Sequence, residues 1–241
     1  MKKLLFSAYS LDVGGIETAL VTLLNELAKK QYEITLVLEK KQGIFLEDID
    51  KKIKIIEYLP SNNKNVFLRK IINLAKRTKF IFKYKNKFDF SASYATYSLP
   101  GSFVARMASK NSVLWVHSNY MTLFNNDKNE FNKFFEQLNI KQFSKIIFVS
   151  NDAKNAFIEQ FAKFGEKSIV INNIIDYNKI LKLSEENIAE KKEDNTTTFL
   201  YVGRLTEKDK KVSRIIESAK ILKKKNAQFK VIIIGDGKDK K

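Results

Sequence analysis

Arg204 stands where an anion can be held. It follows Gly203 at the end of a short apolar run of the strand-forming kind, Phe199, Leu200, Tyr201 and Val202. A lysine-rich turn with Lys208, Lys210 and Lys211 comes next, and Val212, Ile215, Ile216, Ala219 and Leu222 then recur at helical spacing. Phe199–Leu222 therefore predicts strand, loop and helix. A glycine lets backbone approach a ligand closely. A guanidinium offers a planar fork to phosphate oxygens. The N-terminus of the following helix turns free N–H groups and partial positive charge toward the same place. Together these suit the binding of a phosphate ester. Taken alone, the stretch also reads as an exposed turn with solvated lysines.

Two other sets of residues have chemical potential. Gly14, Gly15 and Glu17 lie in a turn between a buried strand, Lys3–Tyr9, and the helical stripe Ile16, Ala19, Leu20, Leu23, Leu24 and Leu27. The turn lacks G-x-G-x-x-G, so a nicotinamide or flavin fingerprint is not present. It reads either as a tight strand-to-helix turn or as a place where backbone nears a ligand. His117 is the single histidine of the chain and closes the predicted strand Ser112–Val116. In open α/β sheets ligands collect at the carboxyl ends of strands. A surface or hydrogen-bonded histidine is the plainer alternative.

These phrases resemble those of the family 4 glycosyltransferases of the GT-B fold. Gly203-Arg204-Leu205 and the turn after it resemble the Gly-Arg-Leu-x-x-x-Lys-Gly segment that opens that family's C-terminal domain. Gly14, Gly15 and Glu17 match its Gly-Gly-x-Glu turn. His117, in LWVHS, matches its strand-end histidine. Asn173, Ile175 and Asp176 match an Asn-Pro-Ile-Asp phrase, with Ile174 in place of the usual small residue or Pro. The resemblance implies that Arg204 and Lys210 grip the diphosphate of a nucleotide-sugar donor. Lys210 matches if the loop carries one extra residue; Lys208 is the other candidate, and Lys211 stands where the family has Gly. It implies that His117 contacts the donor sugar and is needed for transfer, and that the Gly14–Gly15 turn faces the donor across the interdomain cleft. The implied reaction is retaining transfer of a sugar to a hydroxyl acceptor, with no cofactor and no bound metal. Arg204, Lys210 and a helix N-terminus would stabilise charge on the departing diphosphate. The acceptor, lipid-linked or saccharide, would sit mainly on the N-terminal domain, in cell-surface polysaccharide or glycolipid synthesis.

The elements that must position these residues alternate between strand and helix, which predicts an α/β class with mostly parallel sheets. Further strands are expected at Glu33–Leu38, Lys54–Tyr58, Phe88–Tyr94, Lys145–Val149 and Ser168–Ile171, with helices at Asn65–Asn86 and Leu99–Ala108. Phe131, Phe134, Phe135 and Leu138 give an aromatic helix stripe of the core kind, and Ser150 reads as a helix cap. The expected architecture is GT-B-like. A complete, doubly wound N-terminal domain of about seven strands spans 1–182, and a polar passage spans 183–198. The first βαβ unit of an incomplete second Rossmann-like domain spans 199–241. The family's Glu-x7-Glu loop is absent from these residues, so the expectation is a C-terminally truncated chain. An alternative is a non-catalytic remnant that binds a membrane or a partner chain.

Hydrophobic residues make up 44% of the 241, which fits a buried core. There is no Cys, which excludes disulfides and thiolate metal sites. The formal net charge of +17 has three readings: a compositional habit, an anionic membrane surface, or nucleic acid. Nucleic acid has charge alone in its favour, without helix-turn-helix, RNP or zinc signatures, and is not an expected partner. From Lys64 to Lys87 there are nine Lys/Arg and no Asp/Glu. Phe67, Ile71, Leu74, Thr78 and Ile81 lie near one face of that helix. The stripe is expected to pack against the domain beneath a solvated basic face. The alternative is a helix on an anionic leaflet, with Phe67, Phe80 and Phe82 near the headgroups. No run is long enough for a spanning helix, and the expected location is cytoplasmic, peripheral on the inner face of the cell membrane.

Overall fold

The computed structural model describes residues 1–187 and 196–240. Met1–Tyr177 forms one compact unit and Asn178–Lys241 a second. Residues 188–195 of the predicted interdomain passage lie outside the described residues.

The first unit runs β1 (Lys2–Ala8), α1 (Gly15–Ala28), β2 (Tyr32–Leu38), β3 (Lys54–Glu57), α2 (Val66–Tyr84), β4 (Phe90–Ser93), α3 (Leu99–Ala108), β5 (Ser112–Val116), α4 (Tyr120–Leu123), α5 (Lys128–Gln137), β6 (Lys145–Phe148), α6 (Asn151–Gln160) and β7 (Ser168–Val170). A further helix, α7 (Tyr177–Ser184), begins at the boundary. The seven strands form one sheet in the order β3-β2-β1-β4-β5-β6-β7. Every pair is parallel, with Leu4 opposite both Ile34 and Phe90, and Leu114 opposite Ile146. The direction of winding reverses between β1 and β4. Ligand crevices of doubly wound sheets open at such a switch point, outside the carboxyl ends of the strands.

A parallel sheet covered on both faces needs strands that are apolar on both. In β1, Leu4, Phe6 and Ala8 join Leu20 and Leu24 of α1 on one side. Leu5 faces the other, with Phe80, Phe103 and Val104 from α2 and α3. Further along, Leu114, Val116, Ile146 and Phe148 pack with Phe131, Phe135, Leu138 and Phe157, so the aromatic stripe of α5 is core, as its spacing predicts. Ser150 caps α6, its side chain accepting from the Ala153 amide at 3.2 Å.

Helix α2 departs from its expected packing. Only Phe80 is buried. Phe67 is 71% exposed, Leu74 65% and Ile71 48%, so most of the apolar stripe expected against the domain faces outward instead, while Ile81 at its C-terminal end packs against the core. Phe80 is correspondingly no candidate for a headgroup contact, since it lies under Tyr58 and Phe103. The basic residues flank the helix: Arg77 stacks over Phe103 at 4.8 Å and the Lys76 ammonium donates to the Leu59 carbonyl at 2.7 Å. Long cationic stems can cover apolar surface while their heads stay in water.

The second unit contains β8 (Thr197–Val202), α8 (Glu207–Lys210), α9 (Ser213–Lys224) and β9 (Phe229–Ile234). The strands pair in parallel from Thr197–Phe229 to Val202–Ile234, one βαβ unit. Phe199, Leu200, Val202 and Ile234 are exposed.

Candidate functional site

The turn after β1 lies at the switch point. Gly14 is the N-cap of α1, in an extended conformation that any residue adopts. A Cβ on it would lie 2.1 Å from Glu17 Oε2, the tip of a flexible side chain that can shift aside. The Glu17 carboxylate folds back over the turn, and its Oε1 accepts from the Tyr97 hydroxyl at 3.4 Å. A Cβ on Gly15 would meet no protein atom within 4 Å. No side chain caps α1, and a helix start of that kind carries amides and partial positive charge suited to an anion.

His117 directly follows β5, next but one to β1 in the sheet. Its imidazole lies 4.4 Å from the ring of Tyr94 and parallel to Trp115 at 6.4 Å. Burial drives its pKa from the ordinary 6.5 down to about 4, opposed by the backbone of Tyr94. The charged form loses hydration that the aromatic walls do not replace. Among the described residues neither ring nitrogen finds a hydrogen-bond partner of ordinary geometry. At neutral pH this is an uncharged ring with one donor and one acceptor. The Thr96 hydroxyl donates to the Trp115 carbonyl at 2.6 Å and ties the end of β4 to β5.

In the second unit, Arg204 follows β8 in a loop braced by the segment after β9. The Leu205 amide donates to the Asp236 carbonyl at 2.9 Å, and that of Gly203 to the Ile234 carbonyl at 3.0 Å. The Tyr201 hydroxyl donates to the Arg204 carbonyl at 3.2 Å. Gly235 has φ of 155°, and a Cβ on it would lie 1.9 Å from the Gly203 oxygen. A Cβ on Gly237 would lie 2.1 Å from the Leu205 oxygen. Lys210 ends α8, its amide donating to the Thr206 carbonyl at 2.9 Å. Lys211 then takes the left-handed conformation, with φ of 52° and ψ of 44°. That is the conformation glycine accepts most readily, and the family phrase has Gly at this place. The helix start expected to face an anionic ligand is occupied from within: Glu207 accepts from the Ser213 amide at 3.0 Å and from its hydroxyl at 2.7 Å. Those bonds hold the Glu207 carboxyl below the usual range.

Gly14, Gly15, Glu17 and His117 thus belong to the first unit, at the carboxyl ends of β1 and β5 with β4 between them, while Arg204 and Lys210 belong to the second. A cavity of about 840 Å³ in the first unit opens at the opposite end of the strands, by Lys2, Asp89 and Asn111, and includes none of these residues. Tyr94 and Tyr97 carry little sequence signal: Tyr94 ends the predicted strand Phe88–Tyr94 and Tyr97 lies three residues beyond it. The signal of Gly235 and Gly237 is the repeated glycine in GDG. Among the described residues no group of three His, Asp or Glu is arranged to hold a metal ion, and no helix is long and apolar enough to cross a membrane.

Comparison with known proteins fits this arrangement. The family model described as Glycosyltransferase Family 4 matches residues 13–179, and that described as Glycosyl transferases group 1 matches residues 184–241. No curated protein is matched. Among solved structures, Anabaena HepE in complex with UDP-glucose is similar with a TM-score of 0.61 and 14% identity, over 99% of this chain and 70% of that one. A variant of S. aureus TarM in complex with UDP, fondaparinux and alpha-GlcNAc-glycerol gives a TM-score of 0.68 and 15% identity, over 100% and 73%. WaaG, a glycosyltransferase involved in lipopolysaccharide biosynthesis, gives 0.59 and 12%, over 98% and 64%. These likenesses share the GT-B fold, and with a family model matched across most of its length the chain belongs to the family 4 glycosyltransferases.

Proposed function

We propose that this protein takes part in retaining transfer of a sugar from a nucleotide-sugar to a hydroxyl acceptor. The observation that carries the reading is the pair of family matches, one on each unit, with the residues of the family's donor phrases at strand ends in both. In this reading Arg204 and Lys210 hold the donor diphosphate. As the sugar–oxygen bond breaks, negative charge builds on the departing phosphate, and fixed cations aimed at it lower the barrier. Loss of one such donor costs about 10²–10³ in rate. His117, kept neutral by burial, gives the sugar one hydrogen bond and takes another without adding charge beside a forming oxocarbenium. The Gly14–Gly15 turn brings backbone amides near the same donor. The reading calls for no metal, because the side chains named supply the counter-charge.

The acceptor in this reading is a saccharide or a lipid-linked saccharide, and the pathway is the synthesis of a cell-surface polysaccharide or glycolipid. Work of that kind takes place on the cytoplasmic face of a membrane. The Lys64–Lys87 segment supports such a location. Its outward stripe of Phe67, Leu68, Ile71, Leu74 and Phe82 is exposed and bracketed by lysines and arginines, the composition of a helix lying in an anionic leaflet. The test is radiolabelled sugar transfer from a panel of UDP-, GDP- and ADP-sugars to membrane extracts. Product whose anomeric configuration matches the donor supports the reading. Inverted product, or product unaffected by Arg204→Ala, contradicts it.

A further inference from the structure

The switch point holds a second pair of side chains that the donor does not require. Tyr9 follows β1 and Tyr97 follows β4, the two strands between which the winding reverses. Their rings lie 5.9 Å apart at 58°. Tyr97 is 44% exposed, its ring rests on that of Tyr9, and its hydroxyl reaches Glu17 Oε1 in a long hydrogen bond of 3.4 Å. The Lys40 ammonium stands over the Tyr9 ring at 5.3 Å, occupying that ring. A partly exposed tyrosine at the switch point presents an electron-rich face, with the Glu17 carboxylate at its hydroxyl. A pyranose offers the complement: a face of weakly positive C–H groups and a rim of hydroxyls.

The charges around this pair select further. Glu17 lies at the Tyr97 hydroxyl, and Asp12 and Glu39 stand near the Lys40 ammonium over Tyr9. The Ser98 hydroxyl donates to Glu39 at 2.8 Å, and the Ser10 hydroxyl donates to Asp12 at 2.6 Å. Hydrogen bonds from Ser10 and Gln42 keep Asp12 below the ordinary carboxylate range, hence ionised at neutral pH. In a chain of net charge +17 the surroundings of this pair are locally acidic. Carboxylates accept hydrogen bonds from sugar hydroxyls and repel a phosphate or a uronate.

We infer that Tyr97, with Tyr9 behind it, Glu17 at its hydroxyl, and Asp12 and Glu39 around the Lys40 ammonium over Tyr9, is the platform for the acceptor's terminal sugar, and that this sugar is uncharged. The inference rests on the glycosyltransferase reading for the word acceptor, but the platform itself is tested by binding alone.

The experiment is saturation-transfer NMR on the full chain with methyl α-glucoside, methyl α-galactoside and methyl α-N-acetylglucosaminide, each paired with glucose 6-phosphate as the charged probe. UDP is titrated separately. At least one methyl glycoside is expected to receive saturation at its ring protons and to outcompete glucose 6-phosphate. Tyr97→Ala should weaken that binding roughly fivefold while Tyr97→Phe keeps most of it. Glu39→Gln should raise glucose 6-phosphate relative to the neutral sugar, a change of preference that loss of folding does not produce. Binding of no methyl glycoside overturns the inference whether or not UDP binds, as does an unchanged signal in folded Tyr97→Ala or a preference for the phosphorylated sugar. Methyl glycoside binding without UDP binding leaves the platform standing and counts against the donor reading instead.

Discussion

His117 and Tyr94 lie ring against ring, 4.4 Å between centroids and tilted by 51°, at the adjoining carboxyl ends of β5 and β4. The contact strips water from the only imidazole in the chain. Its pKa falls to about 4, so the unfolded chain binds a proton between about pH 4 and 6.5 that the native protein does not. Stability from this source is complete above 6.5 and is lost as the pH falls toward 4, about 3 kcal/mol over the whole window. The single histidine makes a direct check simple: its ring protons, followed by NMR, should titrate near 4. A midpoint above 6 contradicts the burial argument. Urea midpoints of His117→Asn should show a correspondingly smaller decline between pH 6.5 and 4.5.

The outward stripe of α2 predicts a membrane phenotype that charge alone does not. Replacing Phe67, Leu74 and Phe82 together by Ser leaves every lysine in place and removes side chains that touch little of the domain. Sedimentation with vesicles containing anionic phospholipid should weaken about tenfold, with the melting temperature unchanged. Retention of full binding would assign adhesion to the lysines alone. Indifference of the unaltered protein to anionic lipid would remove the membrane proposal.

Two substitutions near Arg204 should move stability in opposite directions. Lys211 is held at φ of 52°, and Lys211→Gly relieves that conformation by about 1 kcal/mol. Gly235→Ala places a methyl 1.9 Å from the Gly203 oxygen at a φ of 155° and should cost about 2 kcal/mol or more. Urea denaturation followed by amide exchange in β8 and β9 reads both. Equal effects of the same sign would contradict the loop geometry.

The legible part of this molecule is the part set by periodicity and phrase. Leu99–Ala108 and Ser112–Val116 are bounded in the structure where their patterns end, because a helix and a strand buried on known faces leave little choice. His117 and Arg204 follow strands and Gly14–Gly15 opens α1, and at each of these places a short phrase carries the signal. α2 was misread for an instructive reason. A hydrophobic stripe shows that one face differs from the other, but not whether protein or another apolar medium covers it. Tyr97 was invisible because its meaning depends on strand order: the reversal between β1 and β4 brings it to Tyr9 and Glu17, eighty or more residues away in the chain. Glu207 gives no signal within the lysine-rich turn, yet its carboxylate fills the α9 start that spacing reserves for a ligand.

The central claim is that the loop around Arg204 exists to hold the diphosphate of an activated sugar. Its most direct measurement is calorimetric titration of the full chain with UDP, GDP and ADP and their glucose conjugates. At least one nucleotide diphosphate should bind, and Arg204→Ala, with secondary structure and melting temperature preserved, should weaken it about 10- to 100-fold. No binding to any of them, or equal affinity in the folded variant, would contradict the account.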